Sequence, residues 1–209
     1  RRVLFRSMSY RLVPDVIVPE QLQDVMAALK CISSEMKNYP CDENSIMLTG
    51  DSAGGMMAAY SAVLLQSAEL RDVFEVNAVD MNISALLLTS PVAYMKDGAL
   101  SVYTKILWGS DYKRKNTYNY MNFDEIIDYA TALPPTYLIT SSGDTLARKQ
   151  TQKLAALLES KGVETTLKDY PKYNGKSLAH VYSVLFPFDE AGSEMIDGAI
   201  DFYREILSR

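Results

Sequence analysis

Gly50-Asp51-Ser52-Ala53-Gly54-Gly55 is the segment of this chain best suited to chemistry. It carries the pattern G-x-S-x-G at Gly50, Ser52 and Gly54. A serine at the centre of that pattern sits on a tight turn between a strand and a helix, with its hydroxyl pushed out beyond the sheet. Small neighbours let the backbone pass close to itself at such a turn. The turn also puts the backbone N–H of Ala53 at a helix N-terminus, where it can stabilise an oxyanion. A serine hydroxyl is a poor nucleophile without an adjacent base, and the chain has a single histidine, His180. An acid must then hold the imidazole in the correct tautomer. In the chain order that accompanies this turn, the serine comes first, an Asp or Glu second and the histidine last. Asp144, in TYLITSSGD, fills the middle place, and His180, in LAHVYSV, the last. Asp144 also has a plainer reading, as a cap for the helix that follows it.

These residues need strands and helices to position them, and the chain alternates between the two. Arg2 to Met8 reads as a strand. Pro19 to Asn38 reads as an amphipathic helix, with Leu22, Val25, Met26, Leu29 and Ile32 at helical spacing. Ser45 to Thr49 is a short buried strand running into the serine turn, and a helix follows from about Met56 to Gln66. Further strands are expected at Ile83 to Thr89, Thr136 to Thr140 and Glu164 to Asp169. Helices are expected at Ala147 to Ser160, stopped by Lys161-Gly162, and at Glu190 to Leu207. This rhythm implies a mostly parallel sheet with helices on both faces. The stretch 92–134, rich in tyrosine and polar residues, breaks it. It reads either as a cap-like insertion or as a long surface loop with short helices.

With these motifs in view, the chain resembles the hormone-sensitive-lipase-like esterases, a group of α/β-hydrolases. GDSAGG carries the resemblance, together with Tyr10-Arg-Leu-Val-Pro-Asp15, Pro19-Glu20, Pro91, LPPTYLITSSGDTL and LAALLESKGVETTLKDYP. The resemblance implies a single α/β-hydrolase domain with Ser52 as nucleophile, Asp144 as acid and His180 as base. It implies hydrolysis of short- to medium-chain acyl esters without cofactor or metal. Three features depart from the family pattern. Arg148 stands where a second acid is usual, and Val181 and Tyr182 follow the histidine instead of glycine and an aromatic. The His-Gly-Gly oxyanion loop, expected well before the Tyr-Arg-Leu segment, is absent from the nine residues that precede Tyr10. The expectation is therefore a chain lacking the family's N-terminal strands, with Ala53 as its one evident oxyanion donor. A non-catalytic binding protein on the same scaffold and a peptidase of similar fold are the alternative readings.

Bulk composition sets the remaining bounds. The 209 residues are 48% hydrophobic and 22% charged, with a net charge of -5, which suits one globular domain. The acidic balance argues against a nucleic-acid surface and against an anionic membrane surface. No apolar run reaches the length of a membrane span. Cys31 and Cys41 do not make a disulfide framework, and two free thiols point to a cytoplasmic location. A single histidine without C-x-x-C spacing offers no metal site. The expected partner is a small-molecule ester, and a homo-oligomer is left open.

Overall fold

The structure is a computed structural model that describes residues 4–96 and 98–209. The described part of the expected first strand is not a strand. Leu4 to Met8 has no regular structure, and Arg2 and Val3 lie outside the described residues. A strand exists by pairing its N–H and C=O groups with a neighbour. This stretch has no ladder partner, and Leu4 and Phe5 are exposed.

The regular elements then follow in order. Helix α1 spans Val18–Glu35, and a 3₁₀ turn (Met36–Asn38) extends it. Pro19 stands in its first turn, and the Glu20 carboxylate accepts the Ile17 N–H at 2.8 Å. Strand β1 (Met47–Asp51) leads through Ser52 into α2 (Ala53–Leu64). Both are displaced from the sequence expectation in a way that matters: β1 includes Gly50, and α2 already includes Gly54 and Gly55. Next come α3 (Ala68–Phe74), β2 (Ala85–Thr89) and α4 (Thr104–Trp108). The final part holds β3 (Thr136–Ser141), α5 (Arg148–Ser160), β4 (Thr165–Tyr170), α6 (Tyr182–Leu185) and α7 (Glu190–Ile206). Between β2 and β3 the described residues form α4 and a series of short 3₁₀ turns. Asp97, inside the expected insertion, is outside the described residues. No helix among the described residues is long and apolar enough to cross a membrane.

The chain divides into two compact units. One comprises Arg1–Asn44, Tyr60–Asn82 and Tyr94–Thr131. Its core joins the buried face of α1 (Leu22, Val25, Met26 and Leu29) to an aromatic cluster. In that cluster Phe74 meets Tyr60 edge-on at 6.2 Å and Trp108 at 6.4 Å. Arg11 is anchored to α1 by a two-pronged ion pair with Asp24.

The other unit comprises Ser45–Ala59, Ile83–Ala93 and Ala132–Arg209. It holds one parallel sheet in the order β1-β2-β3-β4. Alternate strand residues point to opposite faces. Ala85, Tyr137 and Ile139 pack with Ala191, Met195, Ala199 and Phe202 of α7. Leu86, Leu88, Leu138 and Thr140, of opposite parity, are equally buried. A parallel sheet covered on both faces reads as near-continuous apolar strands, which is what ALLLT and TYLIT are. At roughly 25 cal/mol per Å² of apolar surface, burial of this kind is the main term holding such a unit together.

Candidate active site

Four segments meet where the parallel strands end. At the end of β1 the backbone reverses through Ser52, which adopts φ 51. Its N–H donates to Thr89 O at 2.9 Å, and its C=O accepts from Val92 N at 3.1 Å. The turn is thus tied to the end of β2 from both sides. Gly50 is required sterically, because a Cβ there would lie 2.3 Å from the Gly54 carbonyl group. Gly54 differs: a Cβ built on it meets nothing within 4 Å. Ala53 opens α2, so its N–H has no intrahelical acceptor and carries the positive end of the helix dipole.

Asp144 follows β3, on the turn Ser142-Gly143. Its side chain is fully buried, and its two oxygens have separate partners. Oδ1 accepts the backbone N–H groups of Leu146 (3.1 Å) and Ala147 (2.8 Å). Oδ2 lies 3.0 Å from His180 Nδ1, with the Thr140 hydroxyl at 3.4 Å. Ser90 adds a side-chain hydrogen bond. Burial alone would raise this carboxyl. The hydrogen bonds from His180, Ala147 N–H and Ser90, with the charge on His180, outweigh it and hold Asp144 below the usual carboxylate range. Asp144 therefore organises the start of its loop and orients the histidine at the same time.

His180 arrives from the loop after β4. Asn174 (φ 49) and Gly175 (φ 77) form a two-residue turn between Tyr173 and Lys176, which exchange both backbone hydrogen bonds at 2.9 Å. The returning chain buries Leu178, whose C=O accepts the Ser141 hydroxyl at 2.7 Å. That carbonyl would also be 2.3 Å from a Cβ at position 143. Gly143 is what lets the two loops approach. His180 Nε2 then lies 2.9 Å from Ser52 Oγ. With Asp144 ionised, Nδ1–H donates to Oδ2, leaving Nε2 to accept the Ser52 proton; the tautomer follows from the network.

The structure thus brings Ser52, Asp144 and His180 into one hydrogen-bonded chain, with the Ala53 N–H on the residue next to the serine. Such a chain can draw a proton from a hydroxyl attacking an acyl carbon. Arg148, which stands in the region where the resembling family usually has an acid, pairs with Asp169 through Nε at 3.0 and 3.1 Å. Val181, where that resemblance has glycine, is held at φ 51. Ser90, Thr140 and Gly143 were not singled out from the sequence. The Ser-Gly before Asp144 and the Asn-Gly at 174–175 were the available signals. Among the described residues no group of His, Cys, Asp and Glu is placed to hold a metal ion.

Residues 2–175 match the family model described as alpha/beta hydrolase fold. Neutral cholesterol ester hydrolase 1 of Bos taurus is 25% identical over 231 aligned positions, covering 78% of this chain and 56% of that protein. Its Pongo abelii counterpart is 31% identical over 116 residues, covering 53% of this chain and 28% of its own length. The chain thus spans about half the length, or less, of these relatives. Among solved structures, esterase B of Lactobacillus rhamnosis, 30% identical, superposes with a TM-score of 0.84 over 95% of this chain and 64% of its own. The same esterase, inhibited with a C4-C4 tributyrin phosphonate, gives a TM-score of 0.86. With the family match covering residues 2–175, the chain belongs to the alpha/beta hydrolase fold family.

Proposed function

We propose that the protein is a carboxylic ester hydrolase that works through an acyl-enzyme on Ser52. The observation that carries this reading is the chain from Ser52 Oγ to His180 Nε2 (2.9 Å) and from Nδ1 to Asp144 (3.0 Å). Ser52 Oγ attacks the ester carbonyl carbon as its proton passes to His180. Asp144, ionised and buried, stabilises the imidazolium. The carbonyl oxygen becomes an oxyanion facing the Ala53 N–H. As the tetrahedral centre collapses, the C–O bond to the alcohol breaks and His180 returns the proton to the leaving oxygen. Water, activated by the same base, releases the acid and regenerates Ser52. Short- to medium-chain acyl esters are the proposed substrates. The relative inhibited by a tributyrin phosphonate supports a butyryl-sized acyl group. The two cysteines are free thiols, which favours a reducing compartment such as the cytoplasm.

The test pairs turnover with labelling. The protein is expected to hydrolyse p-nitrophenyl butyrate faster than p-nitrophenyl palmitate, and a fluorophosphonate is expected to modify Ser52 alone. Ser52→Ala should remove both signals, with turnover falling by roughly three or more orders of magnitude. Labelling that persists in Ser52→Ala would place the nucleophile elsewhere.

A further inference from the structure

Residues 102–115 invert the usual order of burial. On α4, Thr104 and Trp108 lie one helical turn apart and are the side chains turned inward. The Thr104 hydroxyl is satisfied by Ser101 O at 2.7 Å, and Trp108 packs edge-on against Phe74. The apolar side chains beside them are left outside. Val102 is 75% exposed, Ile106 55% and Tyr103 53%. An isolated exposed apolar residue is ordinary, but three within five positions, two at the end of the 3₁₀ helix Gly98–Tyr103 and one on α4, form a patch that marks an interaction surface.

The same stretch concentrates positive charge. It carries Lys105, Lys113, Arg114 and Lys115 against Asp111 alone, in a chain whose net charge is -5. Whole-chain charge, which argued against an anionic surface, averages this excess away. Lys115 Nζ lies 3.5 Å from Asp111 Oδ1 and balances the one acid. Lys105, Lys113 and Arg114 have no ion-pair partner among the described residues. Together with Ser110, Asp111 and Tyr112 they line an open cleft of about 470 Å³.

Lys105, which lies between Tyr103 and Ile106 in the chain and also lines the cleft, links the exposed apolar side chains to the cations, and this combination fits a negatively charged lipid surface. The apolar residues enter the boundary between headgroups and acyl chains, a tyrosine suits the interface, and the cations meet the headgroups. A soluble polyanion would engage the cations and leave Val102, Tyr103 and Ile106 in water. We infer that residues 102–115 dock this chain on an anionic lipid surface, with Val102, Tyr103 and Ile106 inserted and Lys105, Lys113 and Arg114 on the headgroups.

Co-sedimentation with vesicles tests this without reference to catalysis. The protein is expected to bind vesicles of phosphatidylcholine mixed with phosphatidylserine, to bind pure phosphatidylcholine far less, and to be released by high salt. Each cation near such a surface is worth about a five-fold gain in partitioning. K105E/K113E/R114E should therefore lower binding by at least about 100-fold. V102S/I106S, which leaves the charge unchanged, should lower it by about ten-fold or more. All these residues are exposed, so the thermal midpoint should not move. Equal binding to both vesicle types, or wild-type binding by the charge-reversed variant, overturns the inference. So does full binding by V102S/I106S, which would make the partner a polyanion rather than a lipid surface.

Discussion

Replacing Asp144 by Asn tests whether the hydrogen-bonded chain works as a unit. The two side chains have nearly the same shape, so the outcome depends on where the amide must point. Oδ1 accepts the N–H groups of Leu146 and Ala147. Only an oxygen can stay there, because an NH₂ group would face two donors. The Asn amide nitrogen is therefore forced onto His180 Nδ1, 3.0 Å away. As a donor it requires Nδ1 to be unprotonated, which puts the imidazole proton on Nε2. That nitrogen then offers a proton to Ser52 Oγ at 2.9 Å instead of accepting one. A base locked in the wrong tautomer costs a serine hydrolase about 10⁴ in kcat, or about 5.5 kcal/mol of barrier. Folding should change little, because both backbone hydrogen bonds survive. The assay is p-nitrophenyl butyrate hydrolysis alongside thermal unfolding. A loss in kcat below ten-fold at an unchanged midpoint would refute the tautomer argument. A midpoint falling by more than about 10 °C would mean that Asp144 acts chiefly as a structural cap, since a lost hydrogen bond of about 1 kcal/mol moves a chain of this size only a few degrees.

The remaining predictions concern the loops around the site. Gly143→Ala should push the Leu178 carbonyl, and His180 with it, away from Ser52. Because a shift of about 1 Å can cost about 10² in rate, kcat should fall at least that far, and wild-type turnover would show that the close approach is not needed. Gly54→Ala should fold as well as wild type or gain about 0.4–1 kcal/mol, as a helical alanine in open space. Gly50→Ala should lose the serine turn, and the two should separate clearly in Tm. Asp144 titrates below its ordinary value near 3.8 in the folded state, so the stability it adds is complete above that value and is lost as pH falls through the lower folded one. The Tm difference between wild type and Asp144→Ala, which removes the carboxylate together with its hydrogen bonds, should thus stay flat from neutral pH down to about 4. Shrinkage already above pH 5 would contradict the depressed value.

How far the sequence disclosed all this can be judged element by element. β2 and β3 were plain from ALLLT and TYLIT, since a strand buried on both faces must be apolar throughout, and the amphipathic spacing of α1 was equally direct. Leu4 to Met8 carried a strand-like pattern and formed none, because pairing is a property of the neighbour and not of the segment. Helix α3 escaped notice although its signals are local: Ser67 caps it by accepting the Leu70 N–H, and Glu75 closes it in the left-handed region. Val102 and Ile106 are apolar yet exposed, in a stretch where the sequence offered only a cap-like insertion or a surface loop with short helices. For the site, residue types and chain order singled out Ser52, Asp144 and His180, because few side chains can serve as nucleophile and base. The groups that hold Asp144 could not be read, because Ser90 and Thr140 are ordinary strand-end residues until the fold brings them to its carboxylate.

Backbone conformation shows where those limits come from. Five non-glycine residues among those described have positive φ, and four of them, Ser52, Ser90, Asn174 and Val181, sit on the loops that carry the candidate site. The left-handed region costs an L-residue about 1–2 kcal/mol, and asparagine is the one of the four that visits it readily. A β-branched residue such as Val181 is especially poorly suited to it. Such conformations persist only where surrounding contacts over-determine them. Here those contacts are visible. Ser52 is tied to Thr89 and Val92, Ser90 N–H to Ile139 O at 2.7 Å, and Val181 follows a histidine fixed at both ring nitrogens. Propensity therefore misjudges these loops for a physical reason: the sheet and its hydrogen bonds hold the backbone in shapes that the local sequence disfavours. A site whose Oγ, imidazole and carboxylate must align to within a few tenths of an ångström is where the rest of the fold can sustain such strain.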